Sequence, residues 1–300
     1  MVNNRTEMDK SSLHHYVPRF YLARFVDSNH KLWVFDKITD RVFETTPINI
    51  AGEIRFYDVD DLRNIGADPQ LLEKQLADIE SEACKITENW LYLLETKGSV
   101  SIPQINRKII SLFLALQLQR TAEARIILVE FARKLQTIGE VNKEYNPKKD
   151  ARGLHIQLLW DKYFVDGMIK KISDCIWLFA KNDTEQSFYT SDNPALIKSF
   201  DNKKWLFGSD VFEHGMYVVY PLSTKWILYC KDRQPWHTLS RFDGLVSPVK
   251  FTVDMVNHEN SGQVGRSTRF IFSNSSDFRF AREYLKDYPE HYDPDRKRFG

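Results

Sequence analysis

The sequence predicts an α+β fold with an N-terminal helix and β-hairpin, a central antiparallel pair of long helices, and a C-terminal, mostly antiparallel β-sheet with flanking helices. Two observations predict it. Apolar residues recur at steps of three and four over residues 72–93 and 105–131, which is typical of long amphipathic helices. Between residues 175 and 229, short aromatic and β-branched runs alternate with turn residues, which indicates strands.

The first predicted element is a short helix that begins within residues 14–25, HHYVPRFYLARF. Pro18 suits the first position of a helix, because the N–H group that proline lacks has no partner there. His14 and His15 would then lie at the helix N-terminus, where unpaired N–H groups and a partial positive charge attract a phosphate or carboxylate. Alternatively, the aromatic residues dock this segment on the core and one histidine has only a structural role.

A β-hairpin, predicted at residues 32–36 and 41–44, precedes the two long helices. The first long helix has a narrow apolar seam, with Glu73 and Glu80 beside it. In the second long helix Arg120 interrupts the apolar stripe, and a buried guanidinium needs an acidic or anionic partner. Because a short loop joins the two helices, they should pack as an antiparallel hairpin, and Glu80 is a candidate partner for Arg120.

The remaining elements belong to the same predicted domain, which spans residues 1–285. A charged stretch at 139–152, with an exposed loop at 146–150, is a weak internal boundary. A helix is predicted at 154–172, and strands are predicted at 175–180, 188–190, 204–207, 216–220 and 225–229. A helix, a strand and a short helix close the domain at 253–264, 269–272 and 277–285. We expect the polar tail 286–300 to be loose.

Composition and charge argue against several classes of protein. Lysine and arginine nearly balance aspartate and glutamate, so the net charge of +1 gives no overall attraction to nucleic acid or membranes. The three cysteines lie far apart, without the paired spacing of a zinc site or a disulfide framework, as in a cytoplasmic protein. Residues 1–10 lack the apolar core of a signal peptide, and no stretch is as long and apolar as a membrane span. We therefore expect a cytoplasmic protein without a metal site; the sequence identifies no cofactor.

The opening motif, followed by Arg24-Phe25, resembles the signature of the bacterial domain of unknown function 4238 (DUF4238) family. Three later parts of the chain are also similar to that family, namely Gln117 with Arg120-Thr121, Ser191-Asp192-Asn193-Pro194, and Val256-Asn257 leading to Arg269-Phe270-Ile271. The resemblance extends from about residue 13 to about residue 275. It implies no particular reaction, but some relatives occur among bacterial phage-defence genes.

Residues of these motifs form the predicted site. His14 or His15 would act as acid or base, Arg120 would stabilise phosphate charge, and Asp192 or Asn193 would position the base or the substrate. The predicted substrate-binding residues are Tyr16, Arg19, Gln117, Asn193 and Asn257. Each has a structural alternative, because Asp192 begins an ordinary turn before a proline and Arg120 could form an internal salt bridge.

Known catalytic patterns match this chain weakly. His-Asn-His nucleases combine histidines with an asparagine, but after His30 no further histidine appears until His155. Asp192 with Asp201-Asn202-Lys203 faintly resembles restriction-type nucleases, although Asp201-Asn202 is typical of a hairpin turn. The signatures of α/β-hydrolases, P-loop proteins, zinc proteases and dinucleotide-binding folds are missing from the sequence. A second, weaker candidate site is His258, within a dense run of polar residues.

These observations lead to two hypotheses about function. The first is an intracellular bacterial anti-phage defence effector that cuts a phosphodiester bond as a nuclease, with RNA favoured as its substrate. The second is a non-catalytic sensor that binds a phage protein or a small anionic ligand through the same pocket. A third interpretation is purely structural: the polar residues secure the fold, and substitutions would lower stability alone.

Overall fold

The computed structural model describes residues 13–58, 68, 70–139, 146–206, 211–293 and 296–298, and it has the predicted α+β fold. Its helices are α1 Arg19–Leu22, α2 Leu71–Lys97, α3 Gln104–Gln119, α4 Ala122–Thr137, α5 Pro147–Trp160, α6 Lys162–Asp174, α7 Val253–Arg266 and α8 Arg279–Asp287. Its strands are β1 Leu13–His15, β2 Leu32–Asp36, β3 Arg41–Thr45, β4 Gly52–Ile54, β5 Ile176–Lys181, β6 Thr190–Ser191, β7 Leu196–Lys198, β8 Trp205–Leu206, β9 Tyr217–Pro221, β10 Trp226–Lys231, β11 Leu245–Val246 and β12 Phe270–Ser273. None of the described helices is long and apolar enough to cross a membrane.

A six-stranded sheet in the order β11-β5-β10-β9-β7-β8 forms the centre of the second half of the chain. It is antiparallel except for β11, which runs parallel to β5. Along β5, Trp177 and Phe179 join the main core, whereas Ile176 and Leu178 join a second cluster that includes a residue of α7. This alternation follows from the two-residue period of a strand. Trp90 of α2 packs on the first face, with its ring 6.0 Å from that of Trp177.

A second sheet, in the order β3-β2-β12-β6, joins the beginning of the chain to its end. The predicted hairpin is confirmed, since β2 pairs with β3 in antiparallel register. On its other side β2 pairs with β12, so residues 33–36 lie against residues 270–273. Phe35 of β2 and Ile271 of β12 form a separate apolar cluster with Phe278 and residues of α7 and α8. The strands of the second half, which were expected to form one sheet, are therefore divided between two, because β6 and β12 join the hairpin.

The opening motif differs from its prediction. His14 and His15 belong to β1, which pairs with β4, and they do not lie at a helix N-terminus. Pro18 comes just before α1, and four helical residues are followed by the 3₁₀ turn Ala23–Phe25. A Cβ atom on Gly52 of β4 would lie 3.0 Å from the carbonyl oxygen of His14, so glycine permits the close pairing of these two strands.

The second long helix is interrupted, and the continuous helix predicted over residues 105–131 is wrong. Thr121 has an extended backbone, and its hydroxyl accepts a hydrogen bond from the N–H of Ala124 at the start of α4 (3.2 Å). This cap ends one helix and begins another despite the continuous apolar period. The two ends of the predicted stripe, Ile105 and Phe131, are exposed.

The helix predicted at 154–172 is also wrong in its extent, because two helices, α5 and α6, occupy this part of the chain. Asp161 lies between them and caps α6 by accepting the N–H of Phe164 (2.8 Å). The loop predicted at 146–150 is helical from Pro147 onward, since proline suits the first helical turn. Residues 140–145 of the predicted boundary lie outside the described residues.

The tail, which was expected to be loose, is packed where it is described. Pro289–Tyr292 form a 3₁₀ turn, and the side chains of Arg296 and Arg298 are buried. Both arginines form ion pairs with Glu123 in the first turn of α4. Charge pairing holds Arg296 and Arg298, and Tyr292 packs against the apolar cluster that includes Phe35 and Ile271. The largely polar composition of the tail gave no signal of this burial.

Candidate functional site

His14 is completely buried, and its ring holds β1 against the residues that follow β4. Its Nδ1 accepts the backbone N–H of Tyr57 (3.0 Å), so the ring proton lies on Nε2, which is 3.5 Å from Oδ1 of Asp58. Burial lowers the pKa of His14 more than the nearby Asp58 raises it. His14 is therefore a neutral side chain enclosed by protein.

His15, the next residue of β1, is partly exposed. Its Nε2 donates to the carbonyl oxygen of Ile48 (3.1 Å), which leaves the lone pair of the neutral ring on Nδ1. No hydrogen bond within the described part of the chain occupies Nδ1. Burial lowers the pKa of His15, and the Ile48 carbonyl opposes this shift. Of the two histidines, His15 is the one that could accept a proton from a substrate.

Arg120 lies beneath the opening motif and is only 1% exposed. Its Nη2 is 2.6 Å from Oε1 of Glu80, which confirms the ion pair predicted between α2 and the second long helix. The same guanidinium donates to the carbonyl oxygens of Tyr16 and His15, each at 3.1 Å. Gln117 also donates to the Tyr16 carbonyl (3.1 Å). Arg120, which follows α3, therefore connects the backbone of the opening motif to Glu80 of α2.

Two carboxyl groups of α2 share this region, because Glu73 and Glu80 are two turns apart on one face of the helix. Burial raises the pKa of Glu73 to about 7 against the attraction of Arg120, and the charge of Glu80 adds to the rise. Arg19 of α1 is exposed and makes no hydrogen bond or ion pair with any described residue. We call His15, Arg19, Glu73, Glu80 and Arg120 the His15 cluster.

The members of the His15 cluster share one electrostatic environment. The charges of Arg19, Glu80 and Arg120 act on the pKa of His15, and the same three charges act on the pKa of Glu73. The cluster thus combines a histidine nitrogen that can accept a proton, a carboxyl group that is half protonated near neutral pH, and an exposed cation. Two titratable groups with different protonation states are the usual requirement for acid–base catalysis.

Asp192 makes its hydrogen bonds outside the His15 cluster, although its negative charge adds to the rise that burial causes in the pKa of the nearby Tyr16. It is 1% exposed, and its carboxylate accepts the backbone N–H groups of Thr268 (2.8 Å), Arg269 (2.7 Å) and Phe270 (2.8 Å). Burial raises the pKa of Asp192, while these three N–H groups favour its ionised form. These three hydrogen bonds join the end of β6 to the start of β12. The positive charge of Lys37, which is not part of the His15 cluster, also favours the ionised form of Asp192.

The other predicted substrate-binding residues are divided between two regions. Tyr16 is buried next to the His15 cluster, with its ring 5.5 Å from that of Phe56. Asn193 is bonded to the Thr121 hydroxyl (3.3 Å) and to the carbonyl oxygen of Arg266 (3.2 Å). Asn257 lies on α7, where its Oδ1 is buried. The structure therefore brings Tyr16, together with Arg19 and Gln117, to the histidines, and places both asparagines elsewhere.

The sequence that forms these elements matches a known family. The family model described as "Protein of unknown function (DUF4238)" matches residues 13–277. The chain belongs to the DUF4238 family. The match begins at β1 and includes every member of the His15 cluster. No curated protein and no solved structure matches the chain.

This DUF4238 chain also contains a buried charge network that the sequence did not predict. Glu123, which is 1% exposed, accepts hydrogen bonds from Arg296 (3.0 Å), Arg298 (3.1 and 3.2 Å) and Thr268 (3.1 Å). Lys37 is fully buried nearby, and burial lowers the pKa of its amine to about 7. Its amine donates to the backbone carbonyl oxygen of Ser267 (2.6 Å), so it acts in the structure as a hydrogen-bond donor.

Glu73 and Glu80 are the members of the His15 cluster that sequence reasoning did not include in the site; Glu80 was predicted only as the partner of Arg120. The sequence shows that Glu73 and Glu80 lie seven residues apart beside the apolar seam. Polar residues in such positions are usually solvated, so the pattern does not predict the burial that raises the pKa of Glu73. Among the residues that the structure describes in this DUF4238 protein, no group of three or more histidine, cysteine, aspartate or glutamate side chains could hold a metal ion.

Proposed function

We propose that this protein is a nuclease that cleaves RNA by acid–base catalysis at the His15 cluster, and that it acts in anti-phage defence. The observation that carries the proposal is the grouping of His15, whose Nδ1 is available, with exposed Arg19 and the Glu80–Arg120 ion pair. Beside them, burial raises the pKa of Glu73 to about 7. A carboxyl group that keeps its proton near neutral pH is suited to act as a general acid.

The chemistry of RNA cleavage fits these groups. Nδ1 of His15 would accept the proton of the 2′-hydroxyl group while its oxygen attacks the adjacent phosphorus. The bond from phosphorus to the 5′-oxygen breaks, and that oxygen takes the proton of Glu73. Arg19 would bind the phosphate oxygens, since it is exposed and has no described ion-pair partner. The products are a 2′,3′-cyclic phosphate and a 5′-hydroxyl end, and proton exchange with water restores both residues.

RNA is favoured over DNA because it carries its own nucleophile. A 2′-hydroxyl group needs only a base and an acid on either side of the phosphate, and the cluster contains one of each. In this proposal His14 and Arg120 are positioning residues, because both are enclosed. His14 accepts the backbone N–H of Tyr57, and Arg120 donates to the His15 carbonyl oxygen and to Glu80. Asp192 holds β12 in place and does not contact the substrate.

Cleavage of matched oligonucleotides tests the proposal. Purified protein is incubated with an all-ribose oligonucleotide and with the same sequence bearing 2′-O-methyl groups. We expect only the first to be cut, with cyclic phosphate ends. Glu73→Gln and His15→Gln should each lower the rate about 10²–10⁴-fold. Glu82→Gln, an exposed change on the same helix, should leave it unchanged. Thermal unfolding of each variant shows whether lost activity reflects lost fold.

Two outcomes would contradict the proposal. Cleavage of the 2′-O-methyl strand at the same rate would exclude the 2′-hydroxyl mechanism, and intact RNA in the presence of folded protein would exclude the nuclease. Tight binding of intact RNA, lost in Arg19→Ala, would instead favour the sensor predicted as the alternative from the sequence.

The defence setting is tested separately in cells. Some members of the family occur among phage-defence genes, which supports this part of the proposal. Expression of the wild-type protein should reduce phage plaques, whereas Glu73→Gln, expressed at the same level, should not. Equal protection by both proteins would show that phage defence does not depend on catalysis by Glu73.

A further inference from the structure

A pocket of about 350 Å³ lies at the C-terminal end of α7. Its wall combines segments that are distant in the chain: the last turn of α7, α8, the 3₁₀ turn of the tail, and β8 with the residue before it. No member of the His15 cluster lines this pocket. It is therefore separate from the site of the proposed cleavage reaction.

Two polar side-chain atoms converge over Gly265, in the last turn of α7. A Cβ atom on this glycine would lie 2.8 Å from the hydroxyl oxygen of Tyr284 and 3.5 Å from Nε2 of His291. All three residues line the pocket. The absence of a side chain at Gly265 thus leaves space in the wall of the pocket next to both polar atoms.

The Tyr284 hydroxyl and Nε2 of His291 are both available to a ligand. Neither atom has a hydrogen-bond partner among the described residues, and neither is completely buried. The two rings stack with their centroids 5.7 Å apart. Burial raises the pKa of Tyr284 to about 12, so its hydroxyl keeps a proton to donate. Burial lowers the pKa of His291 to about 4, so its ring is neutral and carries one N–H group.

The charged side chains of the pocket wall are positive. Lys204 and Arg266 line the pocket, and no acidic side chain of the described residues does. Lys204 is exposed, and its amine has no hydrogen-bond or ion-pair partner in the described part of the chain. The guanidinium of Arg266 donates to the carbonyl oxygen of Trp205, and its charge acts on the pKa values of the stacked tyrosine and histidine. Glu290 has the opposite effect on both values but does not line the pocket.

We propose that this pocket binds a small molecule through an anionic group, a phosphate or a carboxylate, that lies over Gly265 and accepts hydrogen bonds from Tyr284 and His291. An anion beside Nε2 favours the tautomer of the neutral ring that carries its proton there. Lys204 and Arg266 supply the opposite charge, and hydrogen bonds to an ionised acceptor are stronger than those to a neutral one.

The rest of the ligand packs on Trp205 and Leu206, the apolar part of the wall. Both side chains are half-buried. The volume of the pocket lies within the range for small-molecule sites, about 300–1,000 Å³. An aromatic ring that bears the anionic group fits this combination of an apolar wall and two cations.

Titration calorimetry on the full-length protein tests the proposal with three probes that share a phenyl ring: phenyl phosphate, benzoate and uncharged benzyl alcohol. We expect both anions to bind, and benzyl alcohol to bind at least about tenfold more weakly, because only the anions form charge-assisted hydrogen bonds. The tighter of the two anions identifies whether the natural ligand carries a phosphate or a carboxylate.

Two pairs of variants assign the binding to this pocket. Tyr284→Phe keeps the ring but removes the donor, and it should weaken binding of phenyl phosphate about tenfold. Tyr288→Phe, a change at an exposed tyrosine outside the pocket, is its control. Lys204→Ala should also weaken binding, whereas Lys203→Ala, at the adjacent exposed lysine, should leave it unchanged. Thermal unfolding shows whether each variant is folded, and the lysine pair decides the result if Tyr284→Phe is not.

Arg19→Ala distinguishes this pocket from the His15 cluster, where Arg19 would bind the phosphate of RNA. We expect Arg19→Ala to bind phenyl phosphate with unchanged affinity at the pocket. The proposal is overturned if neither anion binds at millimolar concentration or if benzyl alcohol binds as tightly as the anions. Binding that is lost in Arg19→Ala but normal in folded Tyr284→Phe and Lys204→Ala would also overturn it. Because binding and not cleavage is measured, failure of the nuclease proposal would leave this result unaffected.

Discussion

At the scale of single residues, the partners of each nitrogen and oxygen determine the role of a side chain. His14 and His15 are adjacent in β1, and strand alternation turns their rings in opposite directions. One ring receives the N–H of Tyr57, and the other keeps an available nitrogen. The sequence identified the pair as important, but it could not distinguish them, because their partners come from residues 48 and 57.

The buried histidine His155 should make stability depend on pH. Its pKa is about 4 in the folded protein and about 6.5 when unfolded, so below pH 6.5 only the unfolded chain binds this proton. Stability should therefore fall by about 3 kcal/mol from this group as pH decreases from 7 to 4. Urea unfolding at both pH values measures the loss.

His155→Gln is the matched control for that measurement. Glutamine retains a donor for the Gln119 carbonyl oxygen but does not titrate. The variant should lose about 3 kcal/mol less than the wild type over the same interval. An identical pH dependence in the two proteins would show that His155 is protonated in the native state.

At the scale of elements, the helical period predicted α2 and its pairing with the next helix, but not the break that follows. The ion pair between Glu80 and Arg120 could be predicted because an interrupted apolar stripe needs a charge partner. The break depends on one local cap, the hydroxyl of Thr121, and a single threonine in an apolar pattern is a weak signal. The same explanation applies to Asp161 between α5 and α6.

Arg120→Ala should destabilise the protein by about 3 kcal/mol, because it leaves Glu80 and two backbone carbonyl groups without their donor. Guanidinium unfolding measures this loss. Lys85→Ala removes an exposed ion pair on α2, the helix that carries Glu80, and should cost less than about 0.5 kcal/mol. Arg120→Ala with unchanged stability would contradict the assignment of Arg120 as a positioning residue.

At the scale of the whole molecule, pairing between distant segments completes the fold. The sequence predicted most strands of the second half, yet period and composition do not name a strand's partner. The pairing of β2 with β12 and the insertion of Arg296 and Arg298 beside Glu123 therefore could not be predicted. The strand pairing joins the two ends of the chain, and the arginines of the tail join its end to its middle.

Removal of the tail should destabilise the entire protein. A chain that ends at Asp293 lacks Arg296 and Arg298, so Glu123 becomes a buried, unpaired carboxylate, at a cost of about 3–5 kcal/mol. Calorimetric unfolding checks this, with exposed Arg279→Ala in the full-length protein as the control.

A double variant isolates the charge effect of the tail. Glu123→Gln in the shortened chain should recover part of the lost stability, since no charge then remains buried. If Glu123→Gln lowers the stability of the shortened chain further, the tail stabilises the fold by some means other than its arginines.

The dependence of kcat/KM on pH tests most directly the central claim that Glu73 is the general acid of the His15 cluster. Activity requires neutral His15, whose pKa is lowered by burial, and protonated Glu73, whose pKa is about 7. For RNA cleavage by the wild type we predict a rate that falls about tenfold per pH unit above pH 7. Glu73→Gln should retain a low rate without this fall. The same alkaline decrease in both folded proteins would contradict the account.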